Sequence, residues 1–272
     1  MRKGVLILAG CVLLSGFIIA QREHSPVGSR SAGMGGIGLY TGDVWSAYNN
    51  QALMTHCEKA TLGFAYKNQY LLKETAMQCV AGVLPTHSGT LGFYVNYFGY
   101  SSYNELTMGL AYAKTFGTGF SAGIGLNWLR TAIGEGYGTK NNFTFEAGIF
   151  ARLSGQLGAG IHVFNPLNVK LSSYNDECIP SVYNVGLVYF PIKQLTISCE
   201  AEKSLYHKIN IKAGMEYAPV KGIFLRTGIS SNPTLFCFGF GITYKQFILE
   251  IATQYHQVLG YSPQASVIYS FN

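Results

Sequence analysis

The sequence predicts an all-β fold: a transmembrane, antiparallel up-and-down β-barrel of about 14 strands with its N-terminal segment as a plug in the lumen. Three observations carry this expectation. Charged residues make up only 12% of the 272 residues, against 48% hydrophobic and 14% aromatic, where soluble domains carry roughly 25% charge. From Lys59 onward, stretches of about ten residues alternate in character and end in polar or glycine-containing breaks. Finally, the one long apolar run lies at the N-terminus, which leaves nothing to build a bundle of membrane helices. Disorder is excluded as well, because disordered chains are charged and poor in aromatics.

Residues 1–20 read as an export signal. Arg2 and Lys3 supply a positive start, the stretch Gly4 to Ala20 has no charge, and Ile18-Ile19-Ala20 before Gln21 fits cleavage near Ala20. Loss of this segment lowers the formal net charge from the +6 of the whole chain by the two charges of Arg2 and Lys3. What remains is too small a charge to argue for nucleic acid. The remaining cysteines (Cys57, Cys79, Cys178, Cys199 and Cys237) are odd in number and lack C-x-x-C spacing, so no disulfide framework is visible.

Residues 21–58 do not read as strands. Glycines crowd the first part, and Trp45 and Leu53 would be poorly solvated in a free tail. A barrel of this size is wider than the roughly eight-stranded one that side chains fill, so the segment is expected inside the lumen as a plug, with Asn49 and Asn50 capping exposed backbone groups.

Residues 59–272 are expected to form the barrel. The strand cores fall near 60–68, 75–83, 89–98, 104–115, 119–129, 142–152, 157–164, 181–189, 194–202, 208–217, 222–229, 234–243, 246–255 and 263–271. The pattern is clearest where Phe236, Phe238, Phe240, Ile242 and Tyr244 alternate with Leu235, Cys237, Gly239, Gly241 and Thr243. Phe120, Ala122, Ile124, Leu126 and Trp128 alternate in the same way with Ser121, Gly123, Gly125 and Asn127. The large face is expected to meet lipid and the small face the lumen. If the first connection is extracellular, the periplasmic breaks are all short. The longest, Arg130–Asn141 and Asn165–Pro180, fall on the extracellular side, the asymmetry of outer-membrane barrels. Near the end of the chain, Gln264, Tyr269 and Phe271 follow the pattern of an outer-membrane assembly signal.

The run Gly28-Ser29-Arg30-Ser31-Ala32-Gly33-Met34-Gly35-Gly36, followed by Asp43-Val44-Trp45-Ser46-Ala47-Tyr48-Asn49-Asn50-Gln51-Ala52-Leu53, resembles the mature N-terminus of FadL-type outer-membrane transport proteins and of the PorV/PorQ barrels of Bacteroidetes. Asp43, Asn50 and Ala52 match the family's aspartate, asparagine and second alanine; Gln51 stands at its proline. The resemblance implies a 14-stranded barrel with an N-terminal hatch, to which Gly33, Met34, Gly35, Gly36, Asp43, Asn49, Asn50, Gln51 and Ala52 would belong. It also implies a conduit for small hydrophobic molecules across the outer membrane of a Gram-negative bacterium. On the PorV/PorQ branch it implies instead a scaffold or shuttle for secreted-protein partners in type IX secretion. The short outer loops leave little material for the long extracellular extensions of fatty-acid transporters.

The small face carries Glu146, Arg152, Glu200, Glu202, Lys212, Glu216, Arg226 and Glu250. These are expected in the lumen as an ion-pair network that fixes the plug, with Glu200 and Glu216 as partners for Arg30. Enzyme chemistry is not expected. The chain has two aspartates, Asp43 and Asp176, and no Ser/His/Asp arrangement, H-x-x-x-H pair or phosphate loop. No cofactor or metal is expected. The partners implied are membrane lipid and a small hydrophobic ligand or secreted proteins, and no nucleic acid.

Overall fold

The computed structural model describes residues 24–40, 42–134, 138–169, 179–205 and 207–272. The expected export signal and its cleavage site lie outside the described residues. Fourteen strands form one closed, antiparallel barrel. They are β1 (Thr61–Asn68), β2 (Ala76–Thr86), β3 (Gly89–Tyr100), β4 (Tyr103–Phe116), β5 (Phe120–Ile133), β6 (Gly138–Arg152) and β7 (Leu157–Phe164). The second half comprises β8 (Val182–Ile192), β9 (Leu195–Ser204), β10 (Asn210–Tyr217), β11 (Ile223–Ser231), β12 (Thr234–Tyr244), β13 (Phe247–His256) and β14 (Gly260–Ser270). Each strand pairs with its neighbours in sequence, and β1 closes the ring against β14, with Thr61 opposite Ser270 and Lys67 opposite Gln264. Closure removes the free edges that an open sheet would expose.

The alternation assigns the faces as the sequence suggests. On β12, Phe238 is 57% exposed and Cys237 fully buried; on β5, Leu126 is exposed and Asn127 buried. Leu, Ile, Phe and Tyr cover the outside of every strand. An apolar surface so continuous exceeds by far the few hundred Å² that soluble monomers expose. No helix among the described residues is long and apolar enough to cross a membrane.

One expectation fails in detail. The break placed at 130–141 is mostly paired: β5 runs to Ile133 and β6 starts at Gly138, with Arg130 opposite Asn141. Apolar alternation reports where side chains need an apolar surrounding. Here Thr139, Lys140, Asn141 and Asn142 are polar, yet the backbone ladder continues, because its hydrogen bonds do not depend on side-chain polarity. The connection between β7 and β8 remains the longest.

Within the N-terminal part, α1 (Ser29–Gly33), α2 (Ser46–Asn49) and the 3-10 turn Gln51–His56 are all short. Their contacts are with inward-facing wall residues. Val44, Trp45, Tyr48 and Met54 cluster with Ala65, Ala81, Tyr94, Ala111 and Ala113, while Met34, Ile37 and Leu53 form a second cluster with Phe150 and Val188. Residues 27–40 and 42–54 are thus almost wholly removed from solvent, without a long helix or strand of their own.

The register at the closure is testable. Phe64 and Val267 are partners across β1 and β14, and both face outward. In a background whose native cysteines are replaced, Phe64→Cys with Val267→Cys should form a cross-link on mild oxidation, seen as a mobility shift on a non-reducing gel. Phe64→Cys with Tyr269→Cys, two residues out of register, should not, since diagonal partners lie about 7–8 Å apart.

Candidate functional site

The segment is held to the wall first by shape. Gly228 and Gly214 lie directly against the backbone of Met34 and Gly35, and a Cβ on Gly214 would stand 2.5 Å from the Met34 carbonyl oxygen. Gly35 itself has φ +82°, a conformation that side chains rarely adopt, and its added Cβ would meet the Ile229 carbonyl oxygen at 2.8 Å. Opposite, Gly123 approaches the backbone of Gln51, and Gly148 abuts the Asn50 side chain. Gly33 rests on Gly239, whose Cα would be 3.0 Å from a Cβ there. Glycines on both sides therefore let two backbones touch.

Side chains of the segment satisfy its own irregular backbone. Asn49 accepts from Val27 N at 2.8 Å and donates back to Val27 O at 2.9 Å, copying a backbone pair. Asn50 Oδ1 accepts from Ala52 N at 3.2 Å at the start of the 3-10 turn, and Gln51 Nε2 donates to Ala47 O at 3.2 Å. Asp43 Oδ1 accepts from Trp45 N at 2.9 Å. Gly36 offers its carbonyl to Lys212 Nζ at 2.9 Å, and Ala52 is fully buried.

The charges form two groups. In the first, Glu216 takes two guanidinium groups: Arg30 donates from Nε at 2.8 Å and from its terminal nitrogen at 2.6 Å, and Arg226 Nε donates at 2.6 Å. Arg226 also reaches Glu250 at 2.9 Å, and Asp43 lies 3.8 Å from Arg30. Glu216 and Arg226 sit opposite each other on β10 and β11, so the strand register itself brings them together. In the second group Lys212 bridges Glu200 at 2.9 Å and Glu202 at 2.8 Å. The other Glu200 oxygen accepts the backbone N–H groups of Gly38 and Leu39 at 3.0 and 3.2 Å. Arg30 thus pairs with Glu216 and not with Glu200, whose oxygens are taken by Lys212 and the segment backbone.

Two of the expected lumenal charges behave differently. Glu146 is fully buried away from both groups; His162 Nε2 lies 3.1 Å from one of its oxygens and the Tyr94 hydroxyl donates to the other at 3.3 Å. Arg152 shares the inward parity of β6 but is exposed at the strand end. Parity fixes the face, and position along the strand decides whether that face is still enclosed.

Sequence reasoning missed an aromatic group at the opposite end. His24 stacks on Tyr48 and on Phe164, with ring centroids 4.6 and 4.1 Å away, and Tyr94 meets Tyr48 edge-on at 4.8 Å. A signal existed: Tyr94 and Phe164 are large residues at inward positions where glycine, alanine or a small polar residue is usual. Among the described residues no group of His, Cys, Asp and Glu could hold a metal ion. The free cysteines Cys79 and Cys237 are buried in the inner wall, Cys57 is partly buried, and Cys199 faces outward.

Burial pushes the Asp43 carboxyl up to about 6, against the opposing pull of the Arg30 guanidinium.

This architecture is shared with solved structures. The chain is similar to the CymD monoaromatic hydrocarbon channel at TM-score 0.70 and 13% identity, covering 90% of this chain and 98% of that one. The toluene transporter TbuX of Ralstonia pickettii aligns at TM-score 0.68 and 12% identity, with 92% and 100% covered. A FadL homologue of Pseudomonas aeruginosa aligns at 0.64 and 13%, with 91% and 100% covered. At such identity the likeness is one of fold, the closed fourteen-stranded FadL-type barrel. No family model and no curated protein sequence matches the chain.

Two outcomes follow from the charges. Glu216→Gln leaves two guanidinium groups short of their shared carboxylate and should lower the unfolding free energy by about 3–5 kcal/mol, read from urea unfolding in detergent. Asp43, whose folded pKa lies above the unfolded value of 3.8, binds its proton more readily in the folded state. Its ionisation therefore costs stability above about pH 6, and this cost is relieved as pH falls toward the unfolded value. Asp43→Asn should remove that slope, seen as a stability difference from the parent chain that shrinks on acidification.

Proposed function

We propose that the chain is an outer-membrane conduit for small hydrophobic molecules, with residues 1–20 as its export signal, residues 21–58 as a lumenal plug and residues 59–272 as the conducting barrel. The observation that carries this reading is a lumen wider than its own side chains, occupied by a segment that divides the interior between two ends. On one side, cavities of about 440 and 280 Å³ border His24; on the other, a cavity of about 290 Å³ lies against Asp43, His56, Glu58 and Lys59. The interface between segment and wall is apolar toward β1–β4 and ionic toward β9–β13.

The printed descriptions of the similar structures, hydrocarbon channels and a toluene transporter, support a hydrophobic cargo. The outer apolar surface supports membrane lipid as the surrounding medium. In this reading the plug residues Gly33, Met34, Gly35, Gly36, Asp43, Asn49, Asn50, Gln51 and Ala52 shape the seal. Glu200, Glu202, Lys212, Glu216, Arg226 and Glu250 hold it. The other reading, a scaffold for secreted-protein partners, draws on no residue contact and is tested by pull-down from native membranes.

Deletion of residues 25–55 should leave a barrel that inserts and runs as a heat-modifiable band in outer-membrane fractions. Its single-channel conductance should rise well above that of the full chain, because fourteen strands enclose more space than side chains fill. A deletion variant that conducts no better than the parent would remove the conduit reading.

A further inference from the structure

The end of the barrel at which the chain enters β1 and leaves β14 carries charge of one sign. Its connections hold six exposed basic residues, Lys59, Lys114, Arg152, Lys193, Lys221 and Lys245, against one acidic residue, Glu58. None of the six joins an ion pair among the described residues. The basic side chains of the lumen have carboxylate partners; these stand unopposed at the surface.

Their placement differs. Lys59 borders the cavity at Asp43, and Arg152 has the inward parity of β6, so both stand at the mouth. The four remaining lysines stand on the rim, each beside a large apolar residue. Lys114 lies two residues before Phe116 on the outward face of β4, Lys193 follows Ile192, Lys221 follows Val220 and Lys245 follows Tyr244. These four apolar neighbours are 53% to 64% exposed, and Lys245 Nζ lies 5.4 Å from the centre of the Tyr244 ring. An apolar side chain is stable in hydrocarbon, and an ammonium group is stable in water or beside an anion. Both needs are met side by side where the acyl chains of a bilayer give way to its phosphates. The spacing agrees. Lys193, Lys221 and Lys245 occupy successive connections at this end, two strand spacings or about 10 Å apart across the strands. That is about one Debye length at 0.1 M salt, so each ammonium acts on an anion of its own. Separate anions spread along a rim describe a leaflet of headgroups; a single acidic protein is better met by basic residues clustered in one patch.

We infer that Lys114, Lys193, Lys221 and Lys245 form a binding rim for the phosphates of anionic phospholipids in the leaflet at this end, with Phe116, Ile192, Val220 and Tyr244 seated in the adjoining acyl chains. On the orientation drawn from loop lengths, this is the periplasmic leaflet. Lysine suits the task, because its ammonium is a compact charge on a flexible stem and a leaflet of headgroups is fluid. The rim holds the barrel at one depth: sinking would draw the ammonium groups into hydrocarbon, and rising would bring the four apolar neighbours into water. The inference rests on the barrel lying in a bilayer, as the proposed function has it, and needs no conduction through the lumen.

The test places the full chain in phosphatidylcholine vesicles with a trace of phosphatidylglycerol or phosphatidylcholine spin-labelled on its acyl chain. Electron spin resonance reads the fraction of each probe held at the protein surface. Phosphatidylglycerol should be favoured by about fivefold at low salt. The ratio should fall toward unity in 1 M salt, where the Debye length is about 3 Å. Combining Lys114→Gln, Lys193→Gln, Lys221→Gln and Lys245→Gln should bring the low-salt ratio below about twofold, while arginine at the same four positions should keep it. If the fourfold glutamine variant does not insert, the pair Lys193→Gln and Lys221→Gln should give an intermediate ratio. Equal association of the two probes with the parent chain, or a preference that persists in the glutamine variant, overturns the inference. So does capture of an acidic protein by the parent chain and not by the glutamine variant in the absence of any lipid preference, which would assign the rim to a protein. Failure of the 25–55 deletion barrel to conduct, with the lipid preference intact, would count against the conduit and leave the rim standing. Conduction without the preference would do the reverse.

Discussion

A closed ring of fourteen strands encloses more room than its own inward side chains fill, and the rest of the structure follows from that constraint. The missing volume is supplied by backbone, in the form of the N-terminal segment, and backbone can approach backbone closely only where no Cβ intervenes. Hence the inner face is glycine at the points of closest contact, Gly214 and Gly228 under Met34 and Gly35, and Gly123 under Gln51. The usual arrangement of a soluble protein is turned inside out. Large apolar side chains cover the exterior, and small and polar ones meet in the interior.

The segment is attached differently on its two sides. Toward β1–β4 it is held by apolar packing, with Val44, Trp45 and Met54 against alanines of the wall. Toward β9–β13 it is held by charge, through Arg30, Glu216 and Arg226 and through Glu200 and Lys212. Buried ion pairs of this kind add little net stability over apolar packing, but breaking one partner is costly. They therefore define one docked arrangement more sharply than they strengthen it. The N–H groups of Gly38 and Leu39 received by Glu200 show the same principle, since an irregular segment without a sheet or long helix must find acceptors in the wall.

The fold it shares with hydrocarbon channels says how such a wall is built, and function is decided by what lines and blocks the interior. In this chain the N-terminal segment borders cavities at Asp43 and His56 at one end and at His24 at the other. The aromatic group around His24 and the ionic group around Glu216 are separate.

Much of this was legible in the sequence because a membrane barrel obeys a rule of period two. Alternation gave the number of strands, the faces and the inward position of Glu200, Lys212, Glu216, Arg226 and Glu250, since each of these follows from parity alone. Parity could not say where along a strand the enclosure ends, which is why Arg152 proved exposed while Glu146, six residues earlier in the same phase, is fully buried. Nor could it reveal that the 130–141 stretch continues the ladder, because backbone pairing outlasts the apolar surrounding that alternation records. Which carboxylate Arg30 meets, and the meeting of His24, Tyr48 and Phe164, depend on where an irregular segment turns within the lumen. That path is fixed by contacts between residues far apart in the chain, such as Arg30 with Glu216 and His24 with Phe164, and no local pattern encodes them.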